Sequence, residues 1–377
     1  MESIEQMIKR LCPKGVEYVK LGEVCEIMRG KRLTKKELFE DAKFKVFHGG
    51  LSPIGYYTKS NRQAQTVMII NVGASAGTVG FCEEDFWSSD GCFCLSHNDS
   101  VIHPKYLYYY LAKHQISIQS RVRKAGIPTL DAGAVMDILI PVPPLELQSR
   151  IVEVLDKMTT LTAKLEAELE AELEARKQQY EYYRNKLLTF SEIGEGNRQV
   201  TWKKISEIAV LKAGKAIKAS ELSDIRDSQH QYPCYGGNGI RGYIAKYSHE
   251  GRYAIIGRQG ALCGCVNWVE GKFYATEHAV VCTPKTLSDS RFLYFLFKNE
   301  NLNRYKSQGA QPGLSVANLY NIMLPIPPLS EQQRIVSILD RFEALTTDLQ
   351  SGLPAEIEAR RQQYEYYRNK LLTFEAV

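Results

Sequence analysis

No stretch of the 377 residues approaches the roughly 18 consecutive apolar residues that a membrane helix needs. Met1 to Arg10 alternates charged and apolar residues and builds no signal core, so a cytoplasmic protein with no membrane partner is expected. The sequence also lacks a GxxxxGK(S/T) phosphate loop, a GxGxxG nucleotide fingerprint and an Asn/Asp-Pro-Pro-Tyr/Phe methyltransferase motif. With these absent, no catalytic residues are assigned. Gly73-Ala-Ser-Ala-Gly77 is the nearest approach to a phosphate cradle, but it lies between the apolar runs 67–70 and 79–81 and reads as a hairpin turn. Cys92 with Cys94, and Cys263 with Cys265, have one residue between them where zinc ribbons have two. His97, His103 and His114 lie near the first pair and only His278 near the second, so no shared ligand set emerges and no metal is assigned. Nine cysteines, odd in number and scattered, read as reduced, mostly buried thiols.

A further absence is local. After Pro141-Val-Pro-Pro144 neither proline nor glycine occurs until Gly194, and the stretch is filled with strong helix formers. One long helix is predicted, about 65 Å for 45 residues at 1.5 Å each. Its apolar stripe is Leu161, Leu165, Leu169, Leu173, Tyr180, Tyr183 and Leu187. Glu166, Glu168, Glu170, Glu172 and Glu174 form a solvated face, because alternate positions on a helix do not converge on a metal. Leu165, Leu169 and Leu173 each open a Leu-Glu-Ala-Glu or Leu-Glu-Ala-Arg unit, a tandem repeat able to act as a ruler.

What is present in abundance is repetition. PVPPLELQSRIVEVLD from Pro141 returns as PIPPLSEQQRIVSILD from Pro325, and ARKQQYEYYRNKLLTF from Ala175 returns as ARRQQYEYYRNKLLTF from Ala359, both 184 residues later. Val16 to Val24 meets Val200 to Ile208 at the same offset. The second stripe is therefore Leu345, Leu349, Leu353, Ile357, Tyr364, Tyr367 and Leu371, with Gly352 and Pro354 expected to break its helix. Two stripes of near-coiled-coil width can cover one another by antiparallel pairing. Between the helical segments the likeness is weaker: His48-Gly49-Gly50 aligns with Tyr235-Gly236-Gly237 at an offset of 187, and Gly73 and Gly77 with Gly260 and Gly264. The backbone plan recurs there while most side chains differ.

Charge follows the same division. Residues 1–140 carry a net +3 and residues 193–324 a net +7, whereas 141–192 and 325–377 carry −3 and −2. A polyanion is drawn to the first and third segments, since each phosphate neutralised releases counterions. Candidate DNA-binding residues are Lys31, Arg32, Lys35, Lys36, Tyr57, Lys59, Asn61, Arg62, Arg121, Arg123 and Lys124 in the first. In the third they are Lys212, Lys215, Lys218, Tyr235, Asn238, Arg241, Tyr243, Lys246, Arg258, Arg304 and Lys306. Arginine suits guanine and asparagine adenine, because each forms two hydrogen bonds to one base edge, while lysine and tyrosine set register on phosphates. Tyr106, Tyr108 and Tyr109 read as helix core.

The PxPPLxxQxxIV opening, the helix ending in QQYEYYRNKLLTF, and repetition of both around two divergent basic segments resemble the specificity subunits of type I restriction-modification systems. The resemblance covers essentially the whole chain. It implies an α+β fold with a pseudo-twofold internal repeat: target recognition domains at 1–140 and 193–324, separated by long antiparallel coiled-coil helices at 141–192 and 325–377. It further implies a non-catalytic subunit whose domains each bind one half of a split site on double-stranded DNA. The helices would space the domains and dock two modification (methyltransferase) subunits, joined by restriction subunits with ATP-dependent translocase and endonuclease activity. S-adenosylmethionine and ATP would belong to those partners and neither to this chain. The break at Gly352 and Pro354, absent from the first copy, puts exact symmetry of the two docking surfaces in question.

Overall fold

The computed structural model of the chain describes residues 2–190, 200–260, 262–307, 312–347 and 352–377. They form two compact units, one of Met1–Ala167 with Glu358–Val377 and one of Glu168–Ile357. The division falls inside the long helices and not at their ends, so each unit owns a globular part together with helical segments.

In the first unit, helix α1 (Ile4–Leu11) starts at Ser3, whose side chain accepts from Gln6 N while Gln6 returns the bond in a capping box. Strand β1 (Tyr18–Lys20) pairs with β9 (Leu139–Pro141), closing the globular part at its base. Between them β2 (Cys25–Arg29), β8 (Cys92–His97), β5 (Thr66–Ile70) and β6 (Val79–Cys82) make an antiparallel sheet in that order. A smaller sheet orders β4 (Gly55–Tyr57), β3 (Phe44–Phe47) and β7 (Trp87–Ser88). β5 is buried along its whole length, as its unbroken run TVMII requires, because both faces are covered. One face receives α2 (Pro104–Lys113), where Tyr106 and Tyr109 are buried and Tyr108 half-buried, as the sequence predicts, and Tyr110 is buried with them. The other face packs Cys92, Cys94, Met68 and Phe86 into a second cluster.

Helix α3 runs unbroken for 45 residues, Leu145–Thr189. Its first turns insert Leu147, Ile151, Val152 and Leu155 into the core of the first unit, each such burial contributing about 1.5–3 kcal/mol. Gln148, fully buried beside them, donates from Nε2 to Val101 O (2.9 Å) and Pro143 O (2.7 Å) and accepts from His103 N at 2.8 Å.

The second unit repeats the plan. β10 (Thr201–Lys204) pairs with β17 (Met323–Ile326). Between them β11 (Ala209–Ala213), β12 (Tyr232–Gly236), β13 (Gly239–Ile244), β14 (His249–Gly257), β15 (Val266–Ala275) and β16 (Ala279–Pro284) form one six-stranded sheet, ordered β11-β16-β14-β15-β12-β13. Helix α4 (Ser290–Glu300), capped by Asp289, buries six consecutive residues from Phe292 to Phe297. Helix α5 (Leu329–Thr347) supplies Ile335 and Leu339 to the same core. Its Gln332 repeats the buried amide, donating to Leu287 O and Pro327 O and accepting from Asp289 N. Helix α6 (Leu353–Leu371) follows, so the repeated helical text is two helices in its second copy, interrupted where Gly352 and Pro354 predict.

The stripes are covered unevenly. Leu169, Tyr180, Leu353 and Ile357 are buried, whereas Leu161 (67% exposed), Leu345, Tyr183 and Tyr367 are open. Leu165, Leu173, Leu187, Tyr364 and Leu371 are half-buried, and Leu349 lies outside the described residues. Helix pairing is antiparallel within the first unit: Thr159 Oγ1 meets Tyr364 Oη at 2.8 Å, and Arg361 Nε donates to Glu166 at 3.2 Å. Within the second, Tyr183 stacks on Phe342 with ring centroids 5.6 Å apart.

Candidate nucleic-acid interface

In each unit the candidate surface grows from a glycine. A Cβ on Gly30 would lie 2.0 Å from Ser89 O, and one on Gly214 the same distance from Ala275 O, so only glycine lets the chain cross there. Just beyond the crossing, Lys31 N donates to Ser88 O and Lys215 N to Ala275 O, which seats both basic loops on equivalent turns. The loops then close into short 3-10 turns, with Thr34 N bonded to Glu37 and Lys218 N to Glu221. Lys31, Arg32, Lys35, Lys36, Lys215 and Lys218 are all exposed on them. Arg32 and Lys35 line a cleft of about 950 Å³ together with Phe39, His48, Ile54 and Tyr56. Lys212, on β11, is exposed.

Several candidates serve the fold itself. Arg62 is anchored on the carbonyls of Asn61 (2.6 Å) and Arg29 (2.7 Å), and the Asn61 side chain donates from Nδ2 to Ser88 O and accepts from Ser88 N at Oδ1. Tyr57 packs edge-on against Trp87 at 4.9 Å, and the Trp87 indole donates to Lys31 O. Arg121 donates to Ala134 O, Lys246 pairs with Glu221 at 2.6 Å, and Arg304 pairs with Glu300 and Tyr305. Tyr235 leans edge-on against Phe273, and Tyr243 exchanges backbone bonds with Ser223. Lys59, Arg123, Lys124, Asn238, Arg241 and Lys306 stand exposed.

Strand pairing corrects one detail of the repeat. Phe47 pairs with Ser88 and Tyr235 with Ala275, so Phe47 is the partner of Tyr235 and His48 that of Gly236, one residue from the alignment read in the text. The loop after β12 is one residue shorter, and from Gly55 and Gly242 onward the offset of 187 holds, since each faces the same point of its neighbour, Val46 or Cys234.

With that register, three backbone pieces meet identically in both units. Gly49 approaches Val72 O as Gly237 approaches Gln259 O. Asn71 N donates to Gly91 O, and Arg258 N to His278 O. Asn71 O accepts from Leu130 N, and Arg258 O from Leu314 N. The side chains on this shared frame differ: His48, Asn71 and Asp90 in the first unit, and Arg258, Glu277 and His278 in the second. His48 Nδ1 lies 3.3 Å from Asp90 Oδ1 outside hydrogen-bond geometry, and His278 Nε2 lies 3.0 Å from Glu277 Oε1. His48 Nδ1, Asn71 Oδ1, Arg258 Nε, Glu277 Oε2 and His278 Nδ1 are all shut off from solvent without a hydrogen-bond partner among the described residues. Of these only Arg258 is a DNA-binding candidate by sequence; His48 enters there through the repeat and His278 as a weighed metal ligand, whereas composition and spacing single out none of Asn71, Asp90 and Glu277. The signal in the text was position alone, a glycine-flanked site where the two copies carry unlike polar residues.

Comparison with known proteins agrees with this doubled plan. A family profile described as "Type I restriction modification DNA specificity domain" matches residues 13–175 and again 197–359. The specificity subunit of the type I restriction enzyme EcoprrI from Escherichia coli is 41% identical over 293 residues, 75% of this chain and 72% of that one. A putative type I restriction enzyme specificity subunit from Haemophilus influenzae is 29% identical across 95% of this chain and 96% of its own length. Among solved structures, the HsdS subunit from Thermoanaerobacter tengcongensis superposes with a TM-score of 0.56 at 16% identity, covering 96% of this chain and 97% of that one. A chain from a study of complex assembly and conformational transition in a type I restriction-modification system reaches 0.69 at 17% identity, covering 96% and 98%. These two share the fold. The two family matches, one in each half, and the Escherichia coli relative place the chain in the family of type I restriction-modification DNA specificity subunits.

Proposed function

We propose that the chain is the sequence-reading subunit of a type I restriction-modification complex, in which each globular unit binds one half of a bipartite site on duplex DNA. The repeated helices set the spacing of the half-sites and dock two modification subunits, with restriction subunits completing the complex. S-adenosylmethionine and ATP bind those partners, which carry out methylation and cleavage, and this chain supplies no catalytic group. One observation carries the reading: the opening and closing stretches of the helical text recur closely in both copies, from Pro141 and Pro325 and from Ala175 and Ala359, while the same globular backbone plan bears different polar side chains. A part that does one job twice keeps its residues, and a part that reads two different half-sites changes them.

Mapping methylated positions genome-wide in cells with and without the chain, together with its modification partner, tests this. A split motif dependent on the chain is expected, and an undivided motif or none refutes it. The ruler gives a sharper arm. Inserting one Leu-Glu-Ala-Glu unit after Glu172 lengthens α3 by about 6 Å. The spacer is then expected to grow by roughly one or two base pairs at about 3.4 Å each, and an unchanged spacer rejects the ruler.

A further inference from the structure

The geometry points to one base-reading position per unit at the shared frame after β5 and β14, where Asn71 reads an adenine in one half-site and Arg258 a guanine in the other. The inference rests on the preceding reading that the units bind DNA, and goes on to say which side chains choose the bases.

At this frame hydrogen bonds are left unmade among the described residues. A polar group withdrawn from water without a partner is destabilising, and such groups in native folds call for an explanation. Five of them fall at one place, held by the same backbone in both units: His48 Nδ1 and Asn71 Oδ1 in the first, and Arg258 Nε, Glu277 Oε2 and His278 Nδ1 in the second. Arg258 is half-buried and has no side-chain hydrogen bond or ion pair among the described residues. The other arginines of the candidate surface are either anchored, as Arg62 and Arg121 are on carbonyls, paired, as Arg304 is with Glu300, or exposed. Arg258 is thus held close to the fold but left unsatisfied, and a side-chain rotation on binding would give its guanidinium the partner it lacks.

The neighbouring acids decide what that partner is. Asp90 and Glu277 stand at equivalent positions, one residue before the carbonyls that hold Asn71 and Arg258. A carboxylate there repels a phosphate, so these frames are poor backbone grips, unlike the exposed lysines on the loops beyond Gly30 and Gly214. A base-pair edge, by contrast, offers donors and acceptors side by side. Guanine presents O6 and N7 to an arginine fork while its cytosine presents an N4 donor to a carboxylate, and adenine presents N6 and N7 to an amide. The paired contrast of Asn71 with Arg258 on one backbone is what two readers of different bases require.

The test uses the full chain in complex with its modification subunits and reads the methylated motif base by base. Arg258→Gln is expected to relax one guanine in one half-site, lowering discrimination there about tenfold or more, with the other half unchanged. Asn71→Ala is expected to relax one adenine in the opposite half. If Arg258→Gln leaves every position of the motif intact, or weakens methylation uniformly over all sites as loss of a phosphate contact would, the assignment is overturned while the split motif still stands. Should Arg258→Gln abolish methylation, binding of Arg258→Ala complexes to duplexes with and without the guanine decides: retained discrimination overturns the proposal, and lost discrimination with unchanged salt dependence supports it. A wild-type complex that yields no split motif refutes the preceding reading instead.

Discussion

The two globular units differ most where a single strand in one is broken in the other. β15 runs without a break from Val266 to Ala275, whereas the same path in the first unit is divided into β6 and β7 by Glu83-Glu84-Asp85. Those acids are tied locally: Ala64 N donates to Asp85, Glu83 pairs with Lys105 and Glu84 with Lys45. In the second unit Gly251 and Gly271 face one another across a long hairpin, both with positive φ. Against this rewriting, the positive-φ glycines hardly differ between the units. Gly55 and Gly242 have φ of 154° and 152°, Gly73 and Gly260 both 92°, and Gly77 and Gly264 86° and 91°. A strand can be broken where nearby side chains satisfy the freed backbone and acids, but a left-handed turn accepts few residues besides glycine. The turns therefore hold the frame on which unlike polar side chains are displayed.

The largest test of this contrast exchanges residues 16–140 for the corresponding part of another specificity subunit. Mapping methylated sites should show one half of the motif replaced and the other kept, and a change in both halves would break the idea of independent readers. Next in size, Gln148→Ala and Gln332→Ala each leave a buried N–H and two carbonyls unpaired. Each should cost on the order of 3 kcal/mol by chemical denaturation, and unequal losses would show that the two joints are not equivalent. Gly77→Ala and Gly264→Ala should follow at about 1–3 kcal/mol apiece, because an added Cβ meets Gln119 at 2.8 Å and Asn303 N at 2.4 Å in a backbone with positive φ. The smallest effect is of pH. Burial holds His103 and His114 of the first unit, and His249 of the second, below the ordinary histidine value. A histidine lowered in this way stays neutral in the fold and protonates first in the unfolded chain. Stability is thus present in full above about pH 6.5 and declines as pH falls below it, more in the first unit. Hydrogen exchange at pH 7 and pH 5 would reveal that order.

Much of the scaffold was legible in the text because it obeys local rules. The helix from Leu145, the break at Gly352 and Pro354, the hairpin turn at Gly73–Gly77 and the buried tyrosines of α2 all follow from periodicity or backbone chemistry within a few residues. The one-residue slip between His48 and Tyr235 did not follow, since two glycines read alike in either register and only the pairing of Phe47 with Ser88 fixes it. The apolar stripe was legible but its cover was not. Leu161 is open, while Leu147, Ile151 and Leu155, which anchor α3 to the first unit, belong to a face set by tertiary packing. Basic side chains were equally ambiguous: Arg62 and Arg258 look alike in sequence, and only their partners among the described residues, two carbonyls for one and none for the other, tell them apart.

Gln148 and Gln332 hold their units by touching backbone atoms alone, carbonyls at Val101, Pro143, Leu287 and Pro327 and amides at His103 and Asp289. Such a hinge pin makes no demand on the identity of the side chains around it. A lineage can then graft a foreign head onto an inherited stem, and the new vocabulary arrives already aimed.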